Sequence, residues 1–517
     1  MVQRYWAPCN LNEFLPFNSS TKLRRSLSFF SEYQLQETFR ELHERKMCQV
    51  QGDESLMMEE EKTFTRSSTC MKCEEAAVVI ARVKDAFCRN CFLAYVTHRF
   101  KATIGKSRLI RDKEKVLVAF SGGQNSSAVA RLIQEGRSEN QHKKFRFIPS
   151  LIYIDDGIIM DQTASERCTN REIVTKLMSA YDIPSCVVPL EEVVNMRHSY
   201  ESTPRGKDDD DVATATKHLN QLSINDADSQ RLLEILNSAK SLTAKEDLIQ
   251  TLRHRLLADV AKRTGHTKIM LGDNGTNLAS RVLSGMAQGR GVTVPLQVTF
   301  ADNREGDNTF VRPLREFPSR EVALYNHLMG VESVCLPTPT TKASQYASIN
   351  KLTSEFINGL QVGFPSTVST VLRTGEKLCT ALSSGDGDNC IMCKGPLDTD
   401  VPACSALKST QHSLAELTDT DRGEQTHCNS SLSCESASDQ SSTECCGQGD
   451  GSCHSTRKVI SFGEMSRWLC YGCRITIRDM KEVNALPDYV LEEAGRRQRR
   501  SVMKEEIQDF LVTDEDR

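Results

Sequence analysis

The sequence predicts an α/β fold with a doubly wound parallel sheet, and three of its features lead to that prediction. From residue 115 onward, short apolar runs rich in β-branched residues alternate with helical patterns, as in parallel sheets covered on both faces. The run Val116–Phe120 ends in a glycine-rich loop, and a helical pattern follows from Ala128. Cys-x2-Cys pairs precede and follow this region, so we expect a metal-binding element on each side of it.

The loop between the first strand and the first helix of this sheet has the composition of a phosphate cradle. Adjacent glycines let the backbone curl with its N–H groups turned inward, and the start of a helix adds a partial positive charge. Glycine and serine are also common in ordinary turns between a strand and a helix. We expect the loop to bind the phosphates of a nucleotide through Ser121, Gly122, Gly123 and Ser126.

The remaining elements of the sheet follow in order. Strands are expected at Phe145–Ile154, Ser185–Pro189 and Lys268–Leu271. Helices are expected at Arg171–Tyr181, Gln230–Ala239, Ala244–Thr264, from Gly275 to Met286 and near Ser319–Leu328. The polar stretch near 199–228 is predicted to be an exposed insertion.

Four cysteines before the sheet have the spacing of a zinc ribbon. Two Cys-x2-Cys knuckles are separated by fourteen residues, and each knuckle can curl around one side of a tetrahedral ion. We therefore expect a zinc site formed by Cys70, Cys73, Cys88 and Cys91.

A second zinc site is predicted after the sheet, formed by Cys390, Cys393, Cys470 and Cys473. The segment 394–456 between its two halves has too little apolar content for a core, and we expect it to be disordered. Loop-closure entropy grows slowly with length, so this separation does not prevent the site from forming. Competing ligands lie within the segment: Cys404, Cys428, Cys434, Cys445, Cys446 and Cys453.

Charge and hydropathy indicate which partners and which cellular location to expect. A net charge of −4 gives no general attraction to nucleic acid, so any such surface has to be a local patch. Arg496–Arg500 is one basic patch, and it fits a phosphate contact or a solvated helix face equally well. Neither a signal-peptide pattern nor a membrane-spanning apolar run is found, so we expect a cytoplasmic protein without a membrane segment.

These features divide the chain into five predicted parts. A weakly ordered extension, 1–66, precedes the zinc ribbon and its linking helix, 67–100. The α/β domain, 101–378, is followed by the second zinc element, 379–480, and by a charged tail, 481–517.

In this order, the features resemble the tRNA-thiolating branch of the PP-loop ATPases, over roughly residues 67–480. The supporting segments are Ser121–Ser126, Leu252–Leu257, Gly272–Asn274, Arg312–Arg315 and Glu321–Tyr325. The resemblance implies a sheet of PP-loop type and ATP as a candidate ligand. It also implies a complex that 2-thiolates wobble uridine 34 in Lys, Glu and Gln tRNAs.

Active members of that branch, as the resemblance implies, adenylate the uridine and then replace the adenylate with sulfur. Their loop reads Ser-Gly-Gly-x-Asp-Ser, but here an amide, Asn125, stands at the acidic position. The segment Gly272–Asn277 lacks their paired carboxylates, and no cysteine occurs in Lys245–Gln250 or Ala343–Ile349, where their catalytic thiols align. Cys335 lies in the general region of the later thiol but outside the aligned stretch.

We therefore expect a degenerate subunit with no catalytic residue of its own. It would form a heterodimer with an intact catalytic PP-loop homologue, bind tRNA, and work with a thiocarboxylated, ubiquitin-related sulfur carrier. Two alternatives remain open at this point. The chain could itself be an ATP-dependent tRNA sulfurtransferase with unusual ligands, or a zinc-ribbon scaffold that binds RNA or protein and no nucleotide.

Overall fold

The structure, a computed structural model, describes residues 69–81, 84–138, 144–194, 196, 225–378, 389–398, 460–480 and 482–506. All of them belong to one compact unit. The predicted N-terminal extension lies outside the described residues, as do most of the predicted polar insertion and of the segment 394–456. None of the helices in the described segments has the length and apolar character that crossing a bilayer requires.

The described part of the chain starts with a small hairpin and continues into a six-stranded sheet. The hairpin strands are β1 (Val79–Ala81) and β2 (Asp85–Phe87), which pair antiparallel. The strands of the sheet are β3 (Lys115–Ala119), β4 (Ile148–Asp155), β5 (Ser185–Pro189), β6 (Lys268–Met270), β7 (Ala301–Glu305) and β8 (Asn308–Val311). Their order is β5-β4-β3-β6-β8-β7, and all neighbours are parallel except β7 and β8.

In the described segments, thirteen α-helices connect and cover these strands. They are α1 (Arg89–Ser107), α2 (Gln124–Arg137), α3 (Ala164–Ser179), α4 (Asp226–Ser238), α5 (Leu242–Arg263), α6 (Gly275–Ala287), α7 (Val294–Val298), α8 (Ser319–Met329), α9 (Ile349–Gly363), α10 (Thr367–Lys377), α11 (Phe462–Ser466), α12 (Tyr471–Ile477) and α13 (Asp488–Glu506). Short 3-10 helices lie at Gly157–Met160, Leu190–Val193 and Val483–Ala485. This count refers to the described segments only.

Side-chain alternation along β3 places a hydrophobic core on each face of the sheet. Leu117 packs into a core with residues of α4, α5 and α13, whereas Val116 and Val118 face a second core with residues of α1, α2 and α3. Successive side chains of a strand point to opposite faces, so a strand that is apolar throughout must be covered twice. The predicted doubly wound α/β fold is therefore confirmed.

Strand order reverses between β3 and β6, because β4 and β5 lie on one side of β3 and β6 and β8 on the other. In open parallel sheets, ligands bind outside the carboxyl ends of the strands at such a switch point. The loops that follow β3 and β6 both lie at this position. They contain Ser121–Ser126 and Gly272–Asn274, two of the segments that support the family resemblance.

The antiparallel edge of the sheet does not follow from the sequence pattern. β7 has the sequence Ala-Asp-Asn-Arg-Glu, which shows no apolar alternation. Its Asp302 is 2% exposed and pairs with Arg304 at 2.7 Å and with Arg312 at 3.4 Å. Pairing with β8 and these buried ion pairs, rather than strand propensity, account for this edge strand.

Candidate nucleotide cleft and metal centres

The loop after β3 requires glycine at its second position. Gly122 has a φ of +76°, in the left-handed region where a Cβ is unfavourable, and a Cβ there would lie 2.7 Å from Val334 Cγ1. The Val334 N–H also donates a hydrogen bond of 2.8 Å to the Gly122 carbonyl. The segment before Cys335 therefore lies directly against the loop.

Two serine hydroxyls hold the loop in a closed turn. The Ser126 hydroxyl donates to the Gly123 carbonyl at 3.0 Å and accepts the Ser121 N–H at 3.2 Å, and the two hydroxyl oxygens are 3.2 Å apart. Gly123 is the N-cap of α2. In the first turn of α2, the N–H groups of Gln124 and Asn125 have no hydrogen-bond acceptor among the described residues, as is usual for a helix start. The cradle therefore fits an anion.

An amide bridge joins the loop after β3 to the loop after β6. The Asn274 side chain, 1% exposed, donates through Nδ2 to Asn125 Oδ1 and to Ser319 Oγ, each at 2.9 Å. Its Oδ1 accepts the Asn277 N–H at 2.9 Å and caps α6. The loops are also close in backbone, since a Cβ at Gly272 would lie 3.1 Å from the Ser126 nitrogen. This bridge joins the two loops by neutral amides, which are weak ligands for magnesium.

The carboxylate beside the bridge is engaged with arginines. Asp273 pairs with Arg281 at 3.1 Å and with Arg312 at 3.5 Å. Burial acts to raise the pKa of Asp273, but the two guanidinium groups outweigh it and hold that pKa below its ordinary value. The carboxylate is ionised, yet its charge is already balanced by the protein.

The acidic residues at the carboxyl end of β4 are paired in the same way. Asp155, 1% exposed, contacts Arg171 at 2.6 Å and Arg167 at 2.9 Å, and Asp156 forms an ion pair with Arg253. The carboxylates of Asp155, Asp156 and Asp273 therefore each pair with at least one arginine. A magnesium ion would have to displace these arginines to reach oxygen ligands.

The histidine of the Leu252–Leu257 segment is a neutral core group. Burial lowers the pKa of His254 to about 4, and its Nδ1–H donates to the Gln250 carbonyl at 2.9 Å. Its ring contacts Phe310 with centroids 5.1 Å apart. The role of His254 is therefore structural, since it packs against Phe310 of β8.

A polar network occupies the first turns of α5, which include the segment Lys245–Gln250. Asp247 pairs with Arg290 at 2.9 Å and accepts a hydrogen bond from Asn350 at 3.2 Å. Arg290 also donates to Thr476 Oγ1 at 2.6 Å, which ties α5 to α12. Burial raises the pKa of Asp247, and Arg290 only partly opposes that effect. The absence of cysteine from this segment is visible in the sequence, but only the fold shows that Asp247, Arg290 and Asn350 form a network there.

The N-terminal cysteine set converges on one point. The sulfur atoms of Cys70, Cys73, Cys88 and Cys91 all lie within 4.8 Å of one another, with Cys73–Cys88 at 3.6 Å and Cys73–Cys91 at 3.7 Å. A tetrahedral ion with metal–sulfur bonds of about 2.3 Å would separate its ligands by about 3.8 Å. The β1–β2 hairpin brings the second pair round to the first, and Cys88 caps α1. The four thiols fit a mononuclear metal ion.

The C-terminal cysteine set also converges. Cys390, Cys393, Cys470 and Cys473 lie within 4.8 Å of one another, and the Cys393 and Cys470 sulfurs are 3.6 Å apart. Three of the four are fully buried in the core that contains Leu117 and α5. The competing cysteines of the segment between them lie outside the described residues.

The basic run near the C-terminus lies on α13 and has two environments. Arg497 is 8% exposed and pairs with Glu493 at 3.2 Å, and Arg496 pairs with the same carboxylate at 3.0 Å. Arg499 and Arg500 are exposed. Part of the charge of this run is therefore neutralised by its own helix.

A mostly parallel sheet whose first strand ends in this glycine loop, at a switch point, defines a doubly wound α/β protein with a phosphate-cradle loop. The family model described as Cytoplasmic tRNA 2-thiolation protein 2 matches residues 348–475. Cytoplasmic tRNA 2-thiolation protein 2-A of Xenopus laevis is 38% identical over 497 residues, covering 86% of this chain and 95% of that protein. The human Cytoplasmic tRNA 2-thiolation protein 2 is 34% identical over 522 residues, covering 91% of this chain and 99% of that protein. The chain belongs to the family of cytoplasmic tRNA 2-thiolation protein 2.

Among solved structures, the chain is similar to the U34-tRNA thiolase NcsA from Methanococcus maripaludis, determined with its 4Fe–4S cluster. The TM-score is 0.44 and the sequence identity 16%, and the match covers 66% of this chain and 95% of that one.

Proposed function

We propose that this chain is a non-catalytic subunit of the cytoplasmic complex that 2-thiolates wobble uridine 34 in Lys, Glu and Gln tRNAs. Family membership supports the pathway, because the relatives carry the name of that modification. The observation that supports a non-catalytic role is the Asn125–Asn274 bridge, which places two amides where the chemistry needs a carboxylate. The phosphate cradle remains, and its magnesium site does not.

The groups around the cleft fit phosphate but not a magnesium–ATP complex. The free amides at the start of α2 can hold an anion, as helix starts commonly do. Magnesium needs oxygen ligands in a nearly octahedral arrangement, and the carboxylates nearby are held by Arg281, Arg312 and Arg253. ATP would therefore be at most a structural ligand of this chain.

The partner in this proposal is an intact catalytic PP-loop homologue, cytoplasmic tRNA 2-thiolation protein 1, which would adenylate the uridine. A thiocarboxylated, ubiquitin-related carrier would supply the sulfur, and the present chain would help to hold the tRNA and the complex together. A heterodimer explains why one chain can lose its catalytic groups and keep its fold. The partner chain would then have to supply all the catalytic groups.

The metal proposed for both cysteine sets is zinc in a structural role. Four thiolates leave no open coordination position, which is the arrangement of structural rather than catalytic zinc sites. In a four-iron cluster each cysteine binds a different iron atom, so the sulfurs would lie farther apart than the observed 3.6 Å pairs. These sites would hold the ribbon and the C-terminal element in shape.

One observation favours the alternative that the chain is itself a sulfurtransferase. Cys335 is exposed and directly follows Val334, whose N–H binds the Gly122 carbonyl. A thiol therefore lies beside the loop, although its position differs from that of the thiols in active relatives. Cys335→Ser separates the two functions, since only the alternative predicts loss of thiolation by this variant.

The proposal is tested by reconstituting the heterodimer with Gly123→Ala. Gly123 has ordinary backbone angles, and a Cβ there meets only Ser121 Oγ at 3.4 Å, so the fold tolerates a methyl group inside the loop. Gly105→Ala is the matched control, because a Cβ at that helix position meets no atom within 4 Å. We expect both variants to support 2-thiouridine formation as the wild type does. Loss of adenylation by Gly123→Ala, with assembly and tRNA binding intact, would refute the non-catalytic assignment.

A further inference from the structure

A surface rich in lysine and arginine lies near the amino ends of the central strands, whereas the glycine loop lies at their carboxyl ends. It is built from the end of α1, the turn leading into β3, the end of α2 and the approach to β4, and it therefore lies near the amino ends of two central parallel strands. We call it the amino-edge surface. Its exposed cations are Lys106, Arg108, Arg111, Lys113, Arg137, Lys144 and Arg146.

Backbone contacts bring these separate segments together. The Lys113 N–H donates to the Arg146 carbonyl at 3.0 Å, and the Phe145 N–H donates to the Gly136 carbonyl at 2.8 Å. Phe145 also contacts α1, with its ring centroid 6.1 Å from that of Phe100. The segments that carry these cations are therefore packed against one another although they are distant in sequence.

The acidic residues of these segments leave most of this charge unbalanced. Asp112 pairs with Arg146 at 3.0 Å, and both side chains are about two-thirds exposed, at 69% and 68%. Glu114 accepts from Thr267 Oγ1 at 2.6 Å and lies 3.6 Å from the Lys268 ammonium, and its other oxygen accepts the backbone N–H of Arg111 at 2.6 Å. Within the described part of the chain, no carboxylate pairs with Lys106, Arg108, Arg111, Lys113, Arg137 or Lys144. The concentration is local, since the whole chain has a net charge of −4.

We infer that the amino-edge surface binds the phosphate backbone of RNA and, given the proposed function, the body of the substrate tRNA. Exposed lysines and arginines contact phosphates, and such contacts position a nucleic acid without selecting its sequence. The surface lies away from the glycine loop, so it suits a part of the tRNA other than the reacting base. The competing patch on α13 is weaker in this respect, because Glu493 pairs with two of its arginines.

The test is a triple variant, Lys106→Gln, Arg111→Gln and Lys144→Gln. These side chains are exposed and have no ion pair within the described residues, so the fold should be unaffected. Binding of an unmodified tRNA with uridine at position 34 is measured by fluorescence anisotropy over a salt series, using the full chain. Loss of three phosphate contacts should make the dependence of log K on log salt shallower by about 2 to 3 and weaken binding at every salt concentration.

The matched comparison is Arg496→Gln, Arg499→Gln and Arg500→Gln, which removes the same charge from α13. A smaller change of slope in this variant than in the amino-edge variant supports the inference. An unmodified tRNA without a wobble uridine should lose the same affinity through the amino-edge variant, because phosphate contacts do not depend on sequence. Equal melting temperatures of the three proteins exclude unfolding as the cause.

Several results would overturn the inference. In one such result, the wild type binds tRNA and the amino-edge variant shows the same dependence of log K on log salt. This result would leave the proposed role in thiolation unaffected. Another is unchanged tRNA binding combined with loss of the catalytic partner in co-purification, which would assign the surface to an acidic protein. Failure of the proposed function is detected separately, because the uridine 34 of cells lacking the chain would then remain 2-thiolated.

Discussion

Replacing Asn274 with alanine tests the bridge between the two loops most directly. The substitution removes an N-cap, for which about 1 kcal/mol is typical, and two side-chain hydrogen bonds at about 1 kcal/mol each. Because Asn274 is 1% exposed, its former partners would be left with little access to water. We expect the free energy of unfolding of the full chain to fall by about 3 kcal/mol, measured from urea denaturation midpoints at a constant slope.

A second cap provides the control for this measurement. Asn225 caps α4 by accepting the Ala227 N–H at 3.2 Å, and it is exposed and joins no second loop. Asn225→Ala should therefore cost only about 1 kcal/mol. Asn274→Asp keeps the capping oxygen of α6 and loses both donated bonds, so it should fall between the two alanine variants.

The pairwise part of the bridge is obtained from a double-mutant cycle. Asn125→Ala and Asn274→Ala, alone and combined, should show a coupling energy of about 1 kcal/mol, since the two side chains share one hydrogen bond. If Asn274→Ala and Asn225→Ala destabilise the chain equally, within about 0.5 kcal/mol, the bridge contributes nothing and the reasoning is refuted.

Three further predictions concern metal, backbone and pH. If the proposed metal is zinc, Cys88→Ser should release it, as detected with a colorimetric chelator, and should expose the ribbon to protease, because a structural metal contributes directly to folding. Gly122→Ala should lower the melting temperature, through about 1–2 kcal/mol of left-handed strain and the contact with Val334, whereas Gly105→Ala should not. His254 has a folded pKa of about 4 against about 6.5 when unfolded, so its contribution to stability falls by about 2 kcal/mol between pH 7 and pH 5. His254→Gln should flatten the fall in urea midpoint over that range, and a fall identical to that of the wild type would contradict the assignment.

Much of the fold follows from local patterns in the sequence. The strand β5 was expected at Ser185–Pro189 and is found there. The strand β3 begins and ends one residue earlier than the expected Val116–Phe120, and β6 ends one residue earlier than expected. The second predicted strand starts later, at Ile148 rather than Phe145, because Phe145 packs on Phe100 of α1 instead of joining the sheet. Helix α3 starts earlier than expected, at Ala164, where Thr163 and Glu166 form a capping box.

Other elements could not be predicted because they depend on distant partners. Strand β7 forms because β8 and Arg312 compensate its polar residues, and neither the pairing nor the ion pair leaves a local pattern. Helix α13 belongs to the segment expected to be a charged tail, yet it buries Val490 and Ala494 in the core beneath α5. The spacing of the apolar residues along the helix indicates a buried face, but the many charged residues around them make the segment resemble a solvated tail.

The sequence by itself determined the glycine loop, the absence of the expected carboxylate and thiols, and the two cysteine sets, because each depends on residue type and short spacing. Only the tertiary structure decided what occupies the vacated positions: an amide bridge between two loops, arginines on each nearby carboxylate, and the Asp247–Arg290 pair on α5. It also brought together the segments that carry the cations of the amino-edge surface. These are contacts between residues far apart in the chain, and they depend on the order of strands in the sheet, which no local pattern specifies.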